Sequence, residues 1–397
     1  MDSTPAAGEN IAVLRKARGM GQVAIASKMG ISTSYLRKIE NGERAVTPPL
    51  AAAAAKALTV STGRIWGQPF LTPIEQAGLL DELRLSVRRH TLPREDTPPL
   101  DELDAQLKKA AQLRANTRYL ELLRVLPKLL GQATATAMDA GGDAVAWGQV
   151  ADLYGCAYAV AHRLGQADLA DMIVSRQEWA SQRTWNPTAE AATAWNEAGV
   201  FQSAGQYGDG LAIIDRAITR YESSGSDTSV EHVVTLGSLH LRGVVLASRN
   251  KDKQATTDHL QRAKTFAEQL NSDGDVLLHN LTFGEGNIAL YELAAHIELG
   301  DPGKAAEMSG RILDRPQPWS GLAPSRVGRG HIDRARALLA TNDLNGSENA
   351  LKQAFKVAPQ MTEYHPMARE VLRVLFVMHQ RSRPDLLAMA KRAGLAD

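Results

Sequence analysis

The stretch Gly21–Arg44, GQVAIASKMGISTSYLRKIENGER, decides how the chain begins to fold. Two short apolar-periodic segments flank Gly30, and a polar, basic loop with Asn41-Gly42 follows. Ile25 and Ala26 mark the inner face of the first segment, Ala26 being small enough to let a second helix approach. Gly30 suits the turn, and Ile31, Leu36 and Ile39 anchor the second segment. Six positions thus agree with two short helices crossing at a steep angle, a helix-turn-helix. Ser32 is placed to N-cap a helix over Thr33 to Glu40. If Leu36 and Ile39 point inward, Thr33, Ser34, Arg37 and Lys38 point outward.

Around this stretch the spacing predicts three more short helices. Ile11 and Leu14 belong to one before it. Thr47-Pro48 reads as an N-cap followed by proline at the first helical position, and Ser61 can cap a helix containing Ile65 and Trp66. The head divides from the rest by charge. Residues 1–70 hold nine Lys/Arg against four Asp/Glu, and the remainder holds 36 against 40, so a +5 head sits on a −4 body although the whole chain carries +1. A basic head of this kind is suited to a polyanion.

The chain has 397 residues, 44% of them apolar and only 5% aromatic, which favours close helix packing and more than one domain. The N-terminus lacks the charged and apolar regions of a secretory signal, and no apolar run reaches a membrane span, so a cytoplasmic protein without membrane association is expected. The single cysteine, Cys156, excludes an internal disulfide and reads as a buried, inert thiol.

Beyond the head, strand signals are almost absent and the expected fold class is all-α. TPIEQAGLLDELRLSVRRH reads as a helical connector, broken by the three prolines of TLPREDTPPL. The expected organisation is 1–70 as head, 71–100 as connector and 101–397 as an α-solenoid. Polar turns recur at Gly165, Gly205, Asn250, Gly300 and Asn342, spaced by 40, 45, 50 and 42 residues. A helical hairpin cannot bury its own apolar face, so successive hairpins stack into a superhelix with a concave side.

LRKARGMGQVAIASKMGISTSYLRKIENGER resembles the helix-turn-helix of the xenobiotic-response-element, phage-repressor-like family, whose head is a five-helix domain; the resemblance covers Ile11 to about Gln68. The turns resemble degenerate, lengthened tetratricopeptide repeats. The best copy has Ala198, Phe201, Gly205, Gly210, Ile214 and Ala217 near the signature positions, and the last has Ala335, Leu338, Leu351, Ala354 and Pro359. Together the two parts are similar to regulators, of actinobacterial style, in which such repeats form a sensor behind the DNA-binding head.

The resemblance implies that Thr33, Ser34 and Lys38 meet base edges of double-stranded DNA and that Gln22 meets phosphate. It also implies that Arg15 pairs with Glu40. Arg37 suits guanine edges, the helix start at Ser32 favours phosphate, and Asn41 and Arg44 are further backbone candidates. Tyr35 either lies against the DNA backbone or packs on the head. Gly21 stands where the family usually has a Ser or Thr cap, and Val23 and Ala24 stand where it often has acidic residues.

If the repeat register holds, Trp195, Gln202, His240, Asn287, Arg329 and Arg336 look into the concave groove and could hold a small molecule or a peptide. The tryptophans at 147, 179, 185 and 195 either fill helix–helix gaps or line a pocket. The G-x-G of Phe283-Gly284-Glu285-Gly286-Asn287 follows no recognisable strand, so no dinucleotide loop is read there. His279 and His296 lack ligand partners nearby in sequence, and no metal, cofactor or catalytic motif is found.

The expected protein is therefore a non-enzymatic, sequence-specific transcriptional regulator. It binds operator DNA as a homodimer, joined through the solenoid or the segment 72–90, under control of an effector in the groove. The alternative is an interaction scaffold whose solenoid binds a protein partner while the head localises it to DNA.

Overall fold

The computed structural model describes residues 6–69, 74–139, 141, 143–224, 229–270, 272, 274–314, 322–378 and 383–395. The head is five helices: α1 (Ala7–Ala17), α2 (Gln22–Met29), α3 (Thr33–Glu40), α4 (Pro48–Leu58) and α5 (Thr62–Trp66). Ser32 Oγ accepts from the Tyr35 amide at 3.1 Å, and Ser61 Oγ accepts from the Arg64 amide. Thr47 occupies the N-cap position of α4 but its side chain makes no capping bond; Pro48 starts that helix. Gly30 closes α2 at φ +68°, the left-handed turn that glycine adopts without a Cβ penalty. Ile11, Ile25, Ala26, Leu36, Ile39, Ala54, Leu58 and Ile65 form the head's core.

The body follows as α6 (Ile74–Arg88), α7 (Leu100–Ala115) and α8 (Tyr119–Asp139), then five antiparallel helical hairpins. These are α9/α10 (Ala144–Arg163, Ala167–Ser181), α11/α12 (Pro187–Ala204, Tyr207–Ser223) and α13/α14 (Val230–Arg249, Lys253–Ala267). The last two are α15/α16 (Glu285–Leu299, Pro302–Leu313) and α17/α18 (Pro324–Ala340, Leu344–Val357). Three closing helices complete the described chain: α19 (Pro359–Tyr364), α20 (Pro366–Met378) and α21 (Pro384–Arg392). The expected turns fall at the hairpin bends, with φ of +72° at Gly165, +79° at Gly205, +94° at Gly300 and +67° at Asn342. At the third bend the left-handed residue is Lys251, one position after Asn250. Leu80, Leu83 and Val87 of α6 lie in the main core with α8 and α9, and Ser86 donates to the Pro127 carbonyl, so this helix is part of the body's packing. The head–connector boundary at residues 70–73 lies outside the described residues.

One element was not visible in the sequence. Strands β1 (Val276–Leu278) and β2 (Leu281–Phe283) form an antiparallel hairpin between α14 and α15. His279 and Asn280 make its two-residue turn with φ of +43° and +66°, the doubly left-handed geometry that matches strand twist. Three-residue strands are too short to show alternation. The hairpin is pinned by Phe283, fully buried against α13, and bridges to α9: His279 Nδ1 lies 3.2 Å from an Asp152 carboxylate oxygen, and Asn280 Nδ2 donates to the Asp152 carbonyl at 2.9 Å. Arg114 of α7 donates to the Asn280 carbonyl.

The head is seated on the body by α4, α5, the loop before α4 and the start of α1, whose Ala7 amide donates to Glu370. Thr62 Oγ1 donates to the Ser203 carbonyl at 2.6 Å, and the Val46 amide donates to the buried Glu370 carboxylate at 3.1 Å. Gly205 faces Ala52 so closely that a Cβ would stand 2.6 Å from the alanine methyl. Trp66 packs on both the head core and the main core.

Gly237 of α13 leaves the space that Phe283 fills: a Cβ there would lie 2.2 Å from the ring. Gly237→Ala is expected to cost about 1–3 kcal/mol through overpacking, read as a lower urea midpoint. The double variant with Phe283→Leu should recover part of the loss, and a single variant as stable as wild type would contradict the packing described.

Candidate nucleic-acid interface and concave chamber

In the head, Glu40 at the end of α3 organises the two neighbouring helices. Its carboxylate accepts from Arg15 Nε at 2.7 Å and from another Arg15 guanidinium nitrogen at 2.9 Å, and from Gln22 Nε2 at 2.7 Å. Arg15 also donates to the Met20 carbonyl. The ion pair implied by the resemblance is therefore present, and it gains a third member. Gln22 is held by Glu40 and half-buried at the start of α2, with its backbone amide at the unsatisfied helix terminus after the uncapped Gly21. Burial would raise the Glu40 carboxyl, but the hydrogen bonds from Arg15 and Gln22 outweigh it and hold the group below its ordinary value.

The outer face of α3 is open. Ser32, Ser34, Arg37 and Lys38 are exposed, Thr33 and Tyr35 are half-buried, and Asn41 and Arg44 are exposed in the following loop. Tyr35 packs against the head core, which is one of its two anticipated places. The loop after α3 approaches the body, where a Cβ on Gly42 would lie 3.5 Å from Val377.

On the body's concave side the inner helices enclose a chamber of about 230 Å³, and four of the six anticipated residues line it: Trp195, Gln202, Asn287 and Arg329. Two do not. His240 turns to α14, its Nδ1 3.0 Å from that of His259 and its ring stacked on Phe266. Burial pushes its pKa down to about 3, with His259 and Arg262 adding to the effect. Arg336 is sunk into an ion network, donating to Glu298 and to Asp333 at 2.8 Å each. Neither side chain lines the chamber.

Sequence reasoning missed the chamber's other arginines, Arg114, Arg163, Arg242 and Arg326. A signal existed for one: Arg326 and Arg329 are three residues apart and thus share a face of α17. Arg242 lies over the Trp195 ring at 3.4 Å and donates to Gln202 at 2.9 Å. Arg326 reaches the Tyr291 hydroxyl at 3.3 Å. Burial alone would raise the Tyr291 phenol; Arg326, Arg242 and Arg329 together hold it below its ordinary value.

A second cavity, about 420 Å³, lies between head and body, lined by Ser61, Thr62, Trp66 and Gln68 of the head. His162, Arg163, Gln202 and Arg329 face both cavities and form the wall between them. His162 Nε2 lies 2.8 Å from Ser203 Oγ, and the Ser203 carbonyl accepts from Thr62 of the head. Burial, with surrounding arginines, pushes His162 down to about 3, so it is neutral in this wall.

The four clustered tryptophans part ways. Trp147 is buried and meets Trp179 edge-on at 4.9 Å, with Arg183 over both rings. Trp195 lines the chamber, and Trp185 is 89% exposed. Cys156 is buried, and burial pushes its thiol up to about 11, as suits an inert side chain. The expectation that no strand precedes Gly284 is corrected by β2. The start of α15 is nonetheless filled from within: the Gly286 and Asn287 amides donate to Asp275 at 3.1 and 2.8 Å, leaving no room for a phosphate. His279 does have a carboxylate partner, Asp152, brought from 127 residues away. Among the described residues no cluster of three or more His, Cys, Asp or Glu could hold a metal, and no helix is long and apolar enough to cross a membrane.

Residues 11–65 match a family model described as helix-turn-helix. No curated protein matches the chain. Among solved structures the chain is similar to BtubC from P. vanneervenii, at 13% identity and TM-score 0.40, over 66% of this chain and 93% of that one. It is similar to PlcR of Bacillus thuringiensis, solved with the peptide PapR7 and DNA, at 16% identity and TM-score 0.32, over 66% and 94%. It is also similar to PrgX in complex with cCF10, at 12% identity and TM-score 0.22, over 93% and 92%.

Removing the Glu40 carboxylate strands a charge. The Arg15 side chain is only 10% exposed, so Glu40→Ala is expected to cost roughly 3 kcal/mol, as for a partly sheltered pair losing one member. Because the folded-state pKa of Glu40 is lowered from 4.5, its contribution is complete above that pH and is lost as the pH falls through the folded value. Denaturant titrations across pH should show a flatter acid limb in the variant than in wild type.

Proposed function

We propose that the protein is a sequence-specific DNA-binding transcriptional regulator and not an enzyme. Residues 1–70 bind operator DNA, 71–100 join that head to the rest with α6 packed into the body, and 101–397 supply dimerisation and an effector site. The observation that carries this reading is the open outer face of α3. It presents Ser34, Arg37 and Lys38 to solvent while the head is seated on the body by α4 and α5.

In this reading α3 enters the major groove from its N-terminus. Thr33, Ser34, Arg37 and Lys38 read base edges, Arg or Lys through guanine O6 and N7 and hydroxyls through several edges. Ser32, Asn41 and Arg44 meet the sugar-phosphate backbone, while Tyr35 packs on the head. The amide end of α2 and Gln22 form a phosphate clamp, and Glu40 fixes the direction of the Gln22 side chain. One short helix offers few base contacts, so two heads on half-sites about 34 Å apart supply the affinity. The protein then acts as a homodimer. A small molecule or peptide in the concave chamber shifts the spacing of the heads, which it can do only by binding one arrangement better than the other.

Binding should weaken steeply as salt rises, log affinity against log salt being linear. Lys38→Ala should change the preferred sequence, at a cost of about 1–3 kcal/mol on the best site. Gln22→Ala should weaken all sequences alike and reduce the salt slope. Selection from a random DNA pool with each variant measures both effects. Equal wild-type affinity for random and selected DNA would refute sequence-specific regulation.

A further inference from the structure

The chamber on the concave side has a charge imbalance that the fold does not resolve. Five arginines line it: Arg114, Arg163, Arg242, Arg326 and Arg329. Guanidinium groups stay protonated in proteins. Arg114 finds the Asn280 carbonyl, Arg163 the Tyr119 phenol, Arg242 the Gln202 amide oxygen, and Arg326 the Tyr291 hydroxyl. None of these partners is a carboxylate. Among the described residues Arg329 is the one of the five in ion-pair contact with a carboxylate, Asp333, which also lines the chamber and is shared with Arg336, while Asp152 and Asp275 act on Arg114 and Arg326 from further away. Arg242 is only 7% exposed, and among the described residues the Nε atoms of Arg114, Arg163 and Arg242 have no acceptor. Buried cations are costly unless a counter-charge accompanies them.

The chamber is also small and strapped. At about 230 Å³ it falls below the roughly 300–1,000 Å³ of drug-sized sites. Leu277 and Thr282 of the β-hairpin form part of its lining, and the hairpin tip is tied to Asp152 of α9. An extended oligopeptide, advancing about 3.3 Å per residue, needs a trough open at both ends. The strap narrows that path on the side of Leu277, which itself stays 49% exposed.

We propose that this chamber binds a compact anion, its carboxylate or phosphate oxygens taken by Arg242 and Arg326 and surrounded by Arg114, Arg163 and Arg329. The inference names the effector class of the regulator proposed above and rests on that reading only for its consequence at DNA. Arg163 and Arg329 belong to the wall shared with the cavity under the head. An anion that draws these two guanidinium groups inward therefore alters the surface beside His162 and Ser203, where Thr62 of the head is hydrogen-bonded.

The test uses the full chain with inorganic phosphate and citrate as separate probes, against chloride at equal ionic strength. A bound anion raises the unfolding midpoint by mass action, here by about 2 °C or more near saturation. Arg242→Met with Arg326→Met should abolish the rise without lowering the midpoint in chloride, because the substitution removes uncompensated charge. Arg37→Ala with Lys38→Ala should keep the rise, which separates the chamber from phosphate binding at the head. If the double methionine variant misfolds by circular dichroism, Arg326→Gln, at a half-buried position, should reduce the rise by itself. A response to phosphate alone assigns a phosphorylated ligand, and a response to citrate alone a carboxylate. No rise with either probe, or a rise that survives the chamber variants, overturns the site. The DNA measurements stand apart: a rise without any change in DNA affinity keeps the anion site and removes effector control, while specific DNA binding with no rise does the reverse.

Discussion

The concave surface depends on one carboxylate. Glu298, buried near the end of α15, takes a hydrogen bond from Arg336 of α17 at 2.8 Å and lies 3.8 Å from Arg249 of α13. Three consecutive inner helices thus converge on a single charge. Burial would push the Glu298 carboxyl up, yet the two guanidinium groups hold it below its ordinary value, so it remains ionised. Such a cluster adds little net stability relative to an apolar core, but losing one member leaves the others buried and unpaired. Its effect here is positional. Arg242, Asn287, Arg326 and Arg329 project from the same three helices, so the register fixed by Glu298 fixes the chamber lining.

The head was legible in the sequence because its signals are local. Ser32, Gly30 and Ser61 act within a few residues of their own positions, and the apolar spacing of Leu36 and Ile39 sets the direction of α3. The solenoid bends were legible for the same reason, since Gly165, Gly205, Gly300 and Asn342 each carry the left-handed turn themselves. The groove was only half legible. Sixteen of the twenty residues of α13 are buried, so periodicity cannot say which face is concave, and His240 was assigned to the wrong one. Arg336 failed for a different reason: its partners Glu298 and Asp333 are chosen by packing, which no spacing reveals. The β-hairpin escaped because its tip residues find Asp152 and Arg114 only in the folded chain.

The head is seated on the body by α4, α5, the loop before α4 and the start of α1, and small residues make the close approach possible. Ala52 and Gly205 allow α4 to approach the second bend of the solenoid, while Val46 and Thr62 supply the polar contacts. The basic residues of α3 are thereby left in water, where their charge costs nothing to maintain. The Glu370 carboxylate also accepts from the Ala7 amide at the start of α1, the helix that carries Arg15, so the Glu40 pair and the seat share one helix.

Repeat arrays ordinarily behave as springs, because each unit touches only the next. Here the β-hairpin rises between the third and fourth helical pairs and grips Asp152 of the first. Non-adjacent turns of the coil are stapled together, so the middle of the superhelix has lost its freedom to stretch. Elastic motion is displaced to the two ends of the coil, while the head rests both on the second bend, inside the stapled stretch, and, through Val46 and Glu370, on the closing helices.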